Sequence, residues 1–457
     1  MQPAIRNHSS WSSATAFYLS AVGASVGLGS IWRFPYLAGT SGGGAFIFIF
    51  VLALMLIAVP LLVAEFAIGR QARCSAPQAA GVVAVQSALS PRWRIIGILG
   101  TVAAFWIASY YTVIAGWVLA YAWKCARGDL EHQNHLAVAA LRQAFLADPV
   151  QMGAWHLAFL GCVALVSARG VNRGIELANR IRAPALLLLL CVLVAYALAV
   201  GDVRHGIDFA FGLHWSQVTP QVVLAAIGQA FFATGVGMAM MIAYGQYVSA
   251  GTSLLRSALI VAASILLVSL LASVLVFPLV FRYGMNPSQG ITLVFDVLPT
   301  VFAEMPAGRL LGTLFFVLLV FAAFTPTIAI LEPIIAWLVE RWRMPRALAV
   351  FTTAAAAWLL GLASMLSFNL WAHRYPLAFI GRYEGKTVFD ISDDIASNML
   401  LPVGALLTSA FVGWRVARPI VAAQMAEASP RARVLCVLLL RFLCPVAILI
   451  VLATALL

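Results

Sequence analysis

Apolar runs of about 20 residues, the length a membrane-spanning helix requires, recur from Ala14 to Leu456 with short polar connections between them. The pattern predicts eleven spans, at about 14–36, 42–70, 95–124, 154–168, 182–200, 220–250, 254–281, 309–340, 346–370, 392–416 and 434–456. Residues 125–153 read as a polar loop, and 201–219 as a second one carrying Asp202, His205 and Asp208. The stretch ITLVFDVLPTVFAEMP (291–306) is amphipathic and too short to span, so it reads as a helix lying over one mouth of the bundle. The leading MQPAIRNHSS is short and polar and shows no cleavable signal.

Two spans are interrupted. In the first, GASVGLGSIWRFP (23–35) holds Gly23, Gly27 and Gly29 and ends on Pro35. In the sixth, GQAFFATGVGMAMMIAYGQY carries Gly228, Gly235 and Gly237. Each glycine costs a helix interior roughly 1 kcal/mol relative to alanine. Broken backbone at membrane depth persists only where protein buries it or where it lines a cavity. Two breaks five spans apart point to two five-helix repeats with a binding site at their interface.

Composition sets the class. The chain is 63% hydrophobic and 10% charged over 457 residues, which excludes a soluble domain. The net charge of +12 invites a nucleic-acid reading, but its distribution argues for membrane orientation. Arg70, Arg73, Arg92 and Arg94 fill one connection, and Arg169, Arg173, Arg180 and Arg182 another, with Glu176 its only acid. The alternate connections carry Asp129, Glu131 and Asp148, then Asp202 and Asp208, then Asp390, Asp393 and Asp394. The positive-inside rule then predicts a cytoplasmic N-terminus and, with an odd span count, an outside C-terminus. The six cysteines are scattered without metal-ligand spacing and read as small hydrophobes.

At a helix break, unpaired N–H groups face one way and unpaired carbonyls the other. Gly27, Leu28 and Gly29 would offer donors to a carboxylate; the carbonyls of Gly23, Ala24 and Val26 would accept from an ammonium or hold an alkali cation. A single such break would suit close helix packing equally well; two at corresponding places favour a site. Tyr111 presents a phenol at mid-membrane, suited to a carboxylate or to a neighbouring helix. Glu65 and Glu332 are intramembrane acids. Glu65 lies near a span end, where pairing with backbone N–H groups competes with a proton-transfer role. Residues 23–27 also fit GxSxG, the serine nucleophile elbow. That chemistry needs a base, and His8, His132, His135, His156, His205, His214 and His373 all read as loop or span-end residues, so a hydrolase is set aside.

GASVGLGSIWRFPYLAGTSGGGAF resembles the first-span signature of the neurotransmitter:sodium symporters, especially their bacterial amino-acid carriers. GQAFFATGVGM resembles their sixth span, FTPTIAILEP the eighth, GIELANRI the start of the fifth and FDISDDIASNMLLP the start of the tenth, so the likeness covers essentially the whole chain. It implies an all-α polytopic fold of the LeuT type, a five-plus-five inverted repeat with helices 1 and 6 broken. The N-terminal segment would be 1–13, the repeats 14–200 and 201–417, and a cytoplasmic connection with span 11 would occupy 418–457.

The resemblance also implies a central site between spans 1, 3, 6 and 8. The substrate carboxylate would meet the backbone at Leu28 and Gly29 and the Tyr111 hydroxyl; the ammonium would meet carbonyls near Ala24 and Phe232, with Ser25 and Ala233 beside them. Ile107, Phe232, Gly235, Met238, Pro326 and Ile330 would line the side-chain pocket, and Tyr111 and Phe232 would lid it. Gly27 stands where monoamine carriers hold an aspartate, which implies a substrate with its own carboxylate. Arg33 and Asp393 would form the outer gate, with Asp394 as substitute. Glu340 and Tyr247 would form the inner gate, where His8 replaces the usual arginine and Arg6 would take its role.

For ions, the resemblance assigns a second sodium site to the carbonyls of Gly23, Val26 and Ala322 and the Thr325 hydroxyl, with Pro326 replacing a second hydroxyl. The first sodium site retains only Ser30, with Ala233 and Ser264 or Ile265 at its other positions. The chloride site has Phe50 in place of a tyrosine, though Gln229 and Ser269 remain. A hard cation takes about six oxygens, which leaves the second site one ligand short and the first depleted. The expected function is sodium-coupled symport of hydrophobic amino acids, large or aromatic ones included, by alternating access across a bacterial inner membrane. The alternatives are a sodium-independent carrier of the same fold, driven by protons or exchange, and a non-transporting amino-acid sensor. The expected partners are an amino acid, sodium and the bilayer, without nucleic acid, in a monomer or weak dimer.

Overall fold

The computed structural model describes residues 10–285 and 293–456. Span 1 begins where the Ser13 side chain accepts from the Ala16 N–H, capping helix Ala14–Ser25. Val26 turns extended (φ −78°, ψ 96°) and ends that helix. The chain resumes as a π-helical turn at Gly29–Arg33 and helix Phe34–Thr40, and the two halves are bent by 57°. Span 6 repeats the device: helix Pro220–Thr234, a break, then Met240–Gly245. Gly235 (φ +67°) and Gly237 (φ +86°) adopt the left-handed region glycine favours, and Ala239 (φ +55°) joins them at a steric cost.

Nine further helices among the described residues are long and apolar enough to cross a membrane, and the broken first span makes ten; the broken sixth consists of helices of 15 and 6 residues, each too short to cross alone. Spans 3 (Pro91–Arg127) and 8 (Gly308–Trp342) pack along one another at the centre, with 72% and 78% of their apolar windows buried. Spans 5 and 11 are only 28% buried and form the rim. Span 1 lies against spans 5, 7 and 8, so its break sits inside protein, as broken backbone in a membrane requires.

Several connections differ from the hydropathy reading because capping chemistry starts helices that an apolar count does not see. Asp148 accepts from the Gln151 N–H and Pro149 occupies the first turn, so span 4 begins at Pro149 rather than at 154. The predicted loop before it contains helix His135–Ala147, capped by Asn134. Asp202 caps helix Val203–Phe211 in the second loop. Span 5 starts at Leu177 after a π-helical turn at Val171–Glu176, so Asn179, Arg180 and Arg182 belong to the helix, not to a connection. Long arginine stems at a span end reach polar surroundings from within a helix.

The segment expected over one mouth forms Leu293–Val297 and Leu298–Glu304, all buried except Glu304. Phe295 packs edge-on to Trp117 (5.6 Å) and Tyr121 (5.1 Å), and Asp296 pairs with Arg142 at 2.6 Å. Ile291 and Thr292, which the sequence assigned to this helix, lie outside the described residues.

Candidate functional site

The two breaks face each other across a small cavity of about 40 Å³. Span 1 contributes Ala24, Ser25, Gly27, Leu28 and Gly29; span 3 contributes Ile107 and Tyr111; span 8 contributes Pro326 and Ile330. Span 6 contributes Phe232, Ala233, Met238 and Met240. No charged side chain lines it among the described residues. A Cβ on Gly27 would stand 2.9 Å from Pro326 Cγ and 3.3 Å from the Tyr111 hydroxyl, and one on Gly29 would strike the Phe232 ring at 2.7 Å. Only glycine lets the break approach these side chains so closely. The Tyr111 hydroxyl is buried and has no hydrogen-bond partner among the described residues. Its O–H is an unused donor, and its oxygen faces the backbone of Leu28 in the unwound segment.

Gly235 departs from the sequence expectation: it does not line the cavity. Its left-handed backbone turns the missing side chain toward Met240, whose methyl group occupies the place a Cβ would take. Met240 is the lining residue the sequence reading missed. Positions 238 and 240 lie about 200° apart on a regular helix; the left-handed Ala239 between them brings both to one cavity.

Around this chamber the breaks are tied to their neighbours. Gln229 Nε2 donates to the Gly29 carbonyl at 2.9 Å, and Ser25 Oγ to the Thr234 carbonyl at 3.5 Å. Glu65 Oε1 accepts from the Gly237 N–H at 2.7 Å, so this acid holds the break in span 6. Glu332 likewise has a partner: Arg346 forks onto it at 2.8 and 3.1 Å, and the Tyr247 hydroxyl donates to it at 3.1 Å.

Toward the face opposite the N-terminus, Tyr111 and Phe232 separate the chamber from a vestibule of about 280 Å³ lined by Arg33 and Asp393. These two do not pair with each other. Arg33 stacks over the Phe232 ring at 4.5 Å and Asp393 accepts from Ser397 at 3.3 Å. Asp394 is not free to substitute, because Arg382 (2.7 Å) and Lys386 (3.7 Å) engage it. The N-terminal face is closed. Trp11 donates through its indole to the Tyr244 carbonyl (3.2 Å) and through its backbone to the Tyr247 carbonyl (3.1 Å). Tyr247 joins Glu332 here rather than Glu340, which accepts from the Ser75 N–H at 2.6 Å. Arg6 and His8 lie outside the described residues.

Three of the four residues named for a second sodium site line one cavity, and the fourth, Ala322, turns its carbonyl toward Gly27. Gly23, Val26 and Thr325 line a cavity of about 350 Å³ between spans 1, 5, 7 and 8, and the Ala322 carbonyl lies 3.5 Å from a Cβ built on Gly27. Three carbonyls and a hydroxyl are hard, neutral donors that fit sodium. At the first site Ser30 is buried with its hydroxyl unpartnered, but Ala233 and the fully buried Ile265 add no side-chain oxygen. Ser264 lines the 350 Å³ cavity instead. Phe50 packs on Phe34 at 4.9 Å, and Gln229 Oε1 and Ser269 Oγ are unpartnered. His156 is a second departure from the sequence reading. It is fully buried eight residues into span 4, with Nε2 2.8 Å from Thr112 Oγ1. It does not line the chamber that holds Ser25, so the nucleophile elbow still lacks a base.

The sequence profile of the Sodium:neurotransmitter symporter family matches residues 8–140 and 146–456. The chain belongs to that family. It is 37% identical over 444 residues to the uncharacterized sodium-dependent transporter YhdH of Bacillus subtilis, covering 96% of each chain. It is 32% identical over 416 residues to an uncharacterized sodium-dependent transporter of Haemophilus influenzae, covering 90% of each. Among solved structures it superposes on MhsT in complex with L-phenylalanine with a TM-score of 0.89 and 36% identity, covering 98% of this chain and 99% of the other. The family's members are transporters, not enzymes, and the architecture is the LeuT-type inverted repeat of the bacterial branch.

Proposed function

We propose that this symporter carries hydrophobic amino acids, aromatic ones included, together with sodium by alternating access. The observation that carries the reading is the buried Tyr111 hydroxyl, free to donate, beside the unwound Gly27–Gly29 segment, in a chamber that no charged side chain lines among the described residues. The substrate carboxylate meets the N–H groups of Leu28 and Gly29 and the Tyr111 hydroxyl; its ammonium meets the carbonyls near Ala24 and Phe232. The side chain packs on Ile107, Met238, Met240, Pro326 and Ile330. An unpaired charge buried there would be costly, so aspartate, glutamate, lysine and arginine are rejected. The L-phenylalanine bound by MhsT, a relative of the same fold, supports an aromatic-accepting pocket. Sodium is held by Gly23, Val26, Ala322 and Thr325. The repeats are 14–200 and 201–417, and the closed N-terminal face is cytoplasmic in a bacterial inner membrane, by the arginine distribution. Arg33 and Asp393 act as the outer gate, and Tyr247 with Glu332 and Arg346 as the inner one.

Uptake into proteoliposomes with and without a sodium gradient tests the reading. Sodium-driven accumulation is expected; uptake indifferent to sodium would indicate proton coupling or exchange, and binding without accumulation a sensor. Two substitutions separate the sites. Thr325→Ala is expected to raise the sodium concentration for half-maximal binding, and Tyr111→Phe to weaken amino-acid binding at saturating sodium. An unchanged sodium dependence in Thr325→Ala would remove the second site from the mechanism.

Pocket size follows from Met240. Met240→Ala is expected to enlarge the chamber and improve tryptophan and phenylalanine relative to alanine and valine in competition against one labelled substrate. Equal effects on all four would mean that Met240 does not set pocket volume. Gly235→Leu is a poorer probe, because it strains a left-handed backbone and displaces Met240 together.

A further inference from the structure

We propose that Asn179 on span 5 supplies the oxygen that Pro326 removed from the second cation site. The inference rests on the reading of Gly23, Val26, Ala322 and Thr325 as that site. Those residues give four oxygens, where hard cations take about six. Span 8 offers no second hydroxyl at this level because Pro326 follows Thr325 directly.

Asn179 is 1% exposed, and its Oδ1 has no hydrogen-bond partner among the described residues. A Cβ built on Gly23 would lie 3.2 Å from that oxygen and 3.6 Å from Thr325 Cβ. The carboxamide oxygen and the Thr325 side chain thus both lie beside Gly23. Asparagine is a poor choice for a helix interior, since its side chain competes with the backbone for hydrogen bonds. An amide oxygen left unsatisfied in the interior also carries the full cost of its desolvation. Coordination of a cation offsets both, and a neutral amide oxygen is an established type of ligand for hard cations.

The charge balance of the cavity adds to the argument. Arg182, one helical turn beyond Asn179, lines the 350 Å³ cavity together with Gly23, Val26 and Thr325, its guanidinium 3.6 Å above the Phe324 ring. A resident positive charge opposes a second one nearby. The site therefore needs further oxygens, and Asn179 Oδ1 is a buried, unpartnered one beside Gly23.

The test is a sodium titration of the thermal midpoint of the purified full-length protein, without amino acid, at constant ionic strength set with choline. Asn179→Ala, and Asn179→Leu as a volume-conserving control, are expected to raise the half-saturating sodium concentration at least tenfold while leaving the midpoint in choline near that of wild type. Pro326→Ser in the Asn179→Ala background is expected to restore the wild-type sodium dependence by returning the lost oxygen to span 8. A wild-type sodium dependence in both Asn179 variants, or a loss that Pro326→Ser does not repair, would overturn the role of Asn179 and leave the second site standing. A wild-type protein whose midpoint ignores sodium would overturn the second site itself.

Discussion

Gly27→Asp is expected to abolish binding of zwitterionic amino acids. The new carboxylate would start from a Cβ 3.3 Å from the Tyr111 hydroxyl, the group assigned to the substrate carboxylate, and 2.9 Å from Pro326 Cγ. Two unit charges ~4 Å apart at an effective dielectric of ~20 repel by about 4 kcal/mol, and every 1.4 kcal/mol is a factor of ten in affinity. The charge alone therefore predicts a loss of about three orders of magnitude. Gly27→Ala isolates the steric part, because it meets Pro326 with the same Cβ, and its loss should be much smaller. The aspartate variant should at the same time favour an amine without a carboxylate, such as phenylethylamine, over phenylalanine. Equilibrium competition with both ligands on the three proteins decides it. Wild-type affinity for phenylalanine in Gly27→Asp would mean that Gly27 does not face the substrate carboxylate.

The breaks were legible in the sequence because glycine at membrane depth has few physical explanations. Gly23, Gly27, Gly29, Gly235 and Gly237 mark them directly, and the chamber forms where those glycines bring spans 1 and 6 together. What the pattern could not supply was the direction of side chains next to irregular backbone. Helical periodicity sends Met238 and Met240 to different faces, yet both line the chamber because Ala239 is left-handed. The same irregularity turned Gly235 away from it. Capping misled in the opposite sense: Asp148, Asn134 and Asp202 began helices where polar composition suggested loops. His156 was lost at a span end for that reason, and Asn179 because a π-helical turn starts span 5 earlier than hydropathy indicates. Pairings distant in sequence were not accessible at all. Glu332 reaches Tyr247, 85 positions away, and only the packing of span 6 on span 8 selects it over Glu340.

That pairing leads to the second large effect. Arg346→Ala is expected to destabilise the protein by about 3–5 kcal/mol, the cost of removing one partner from a buried ion pair. Glu332 has no exposed side-chain surface, and Arg346 supplies both of its charge-assisted bonds. Without the guanidinium, the carboxylate must stay ionised in an apolar setting or take up a proton, and either costs free energy. Arg346 also donates to the Ser167 carbonyl at 3.0 Å, so its loss frees the end of span 4 as well. The charge contribution separates from the packing contribution in Arg346→Ala/Glu332→Gln, where the amide keeps an acceptor for the Tyr247 hydroxyl and no buried charge remains. If the ion pair dominates, this double variant is more heat-stable than Arg346→Ala alone, and Glu332→Gln alone is destabilised through the unpaired guanidinium. If Arg346 acts by packing on spans 4 and 8, the double variant melts no higher than Arg346→Ala. The same substitutions loosen Tyr247, whose backbone carbonyl accepts from Trp11 at 3.1 Å, so the closed N-terminal face depends on them. A reagent that alkylates a cysteine introduced at Trp11 should therefore react faster in Arg346→Ala than in the parent, and equal rates would separate the ion pair from closure of that face.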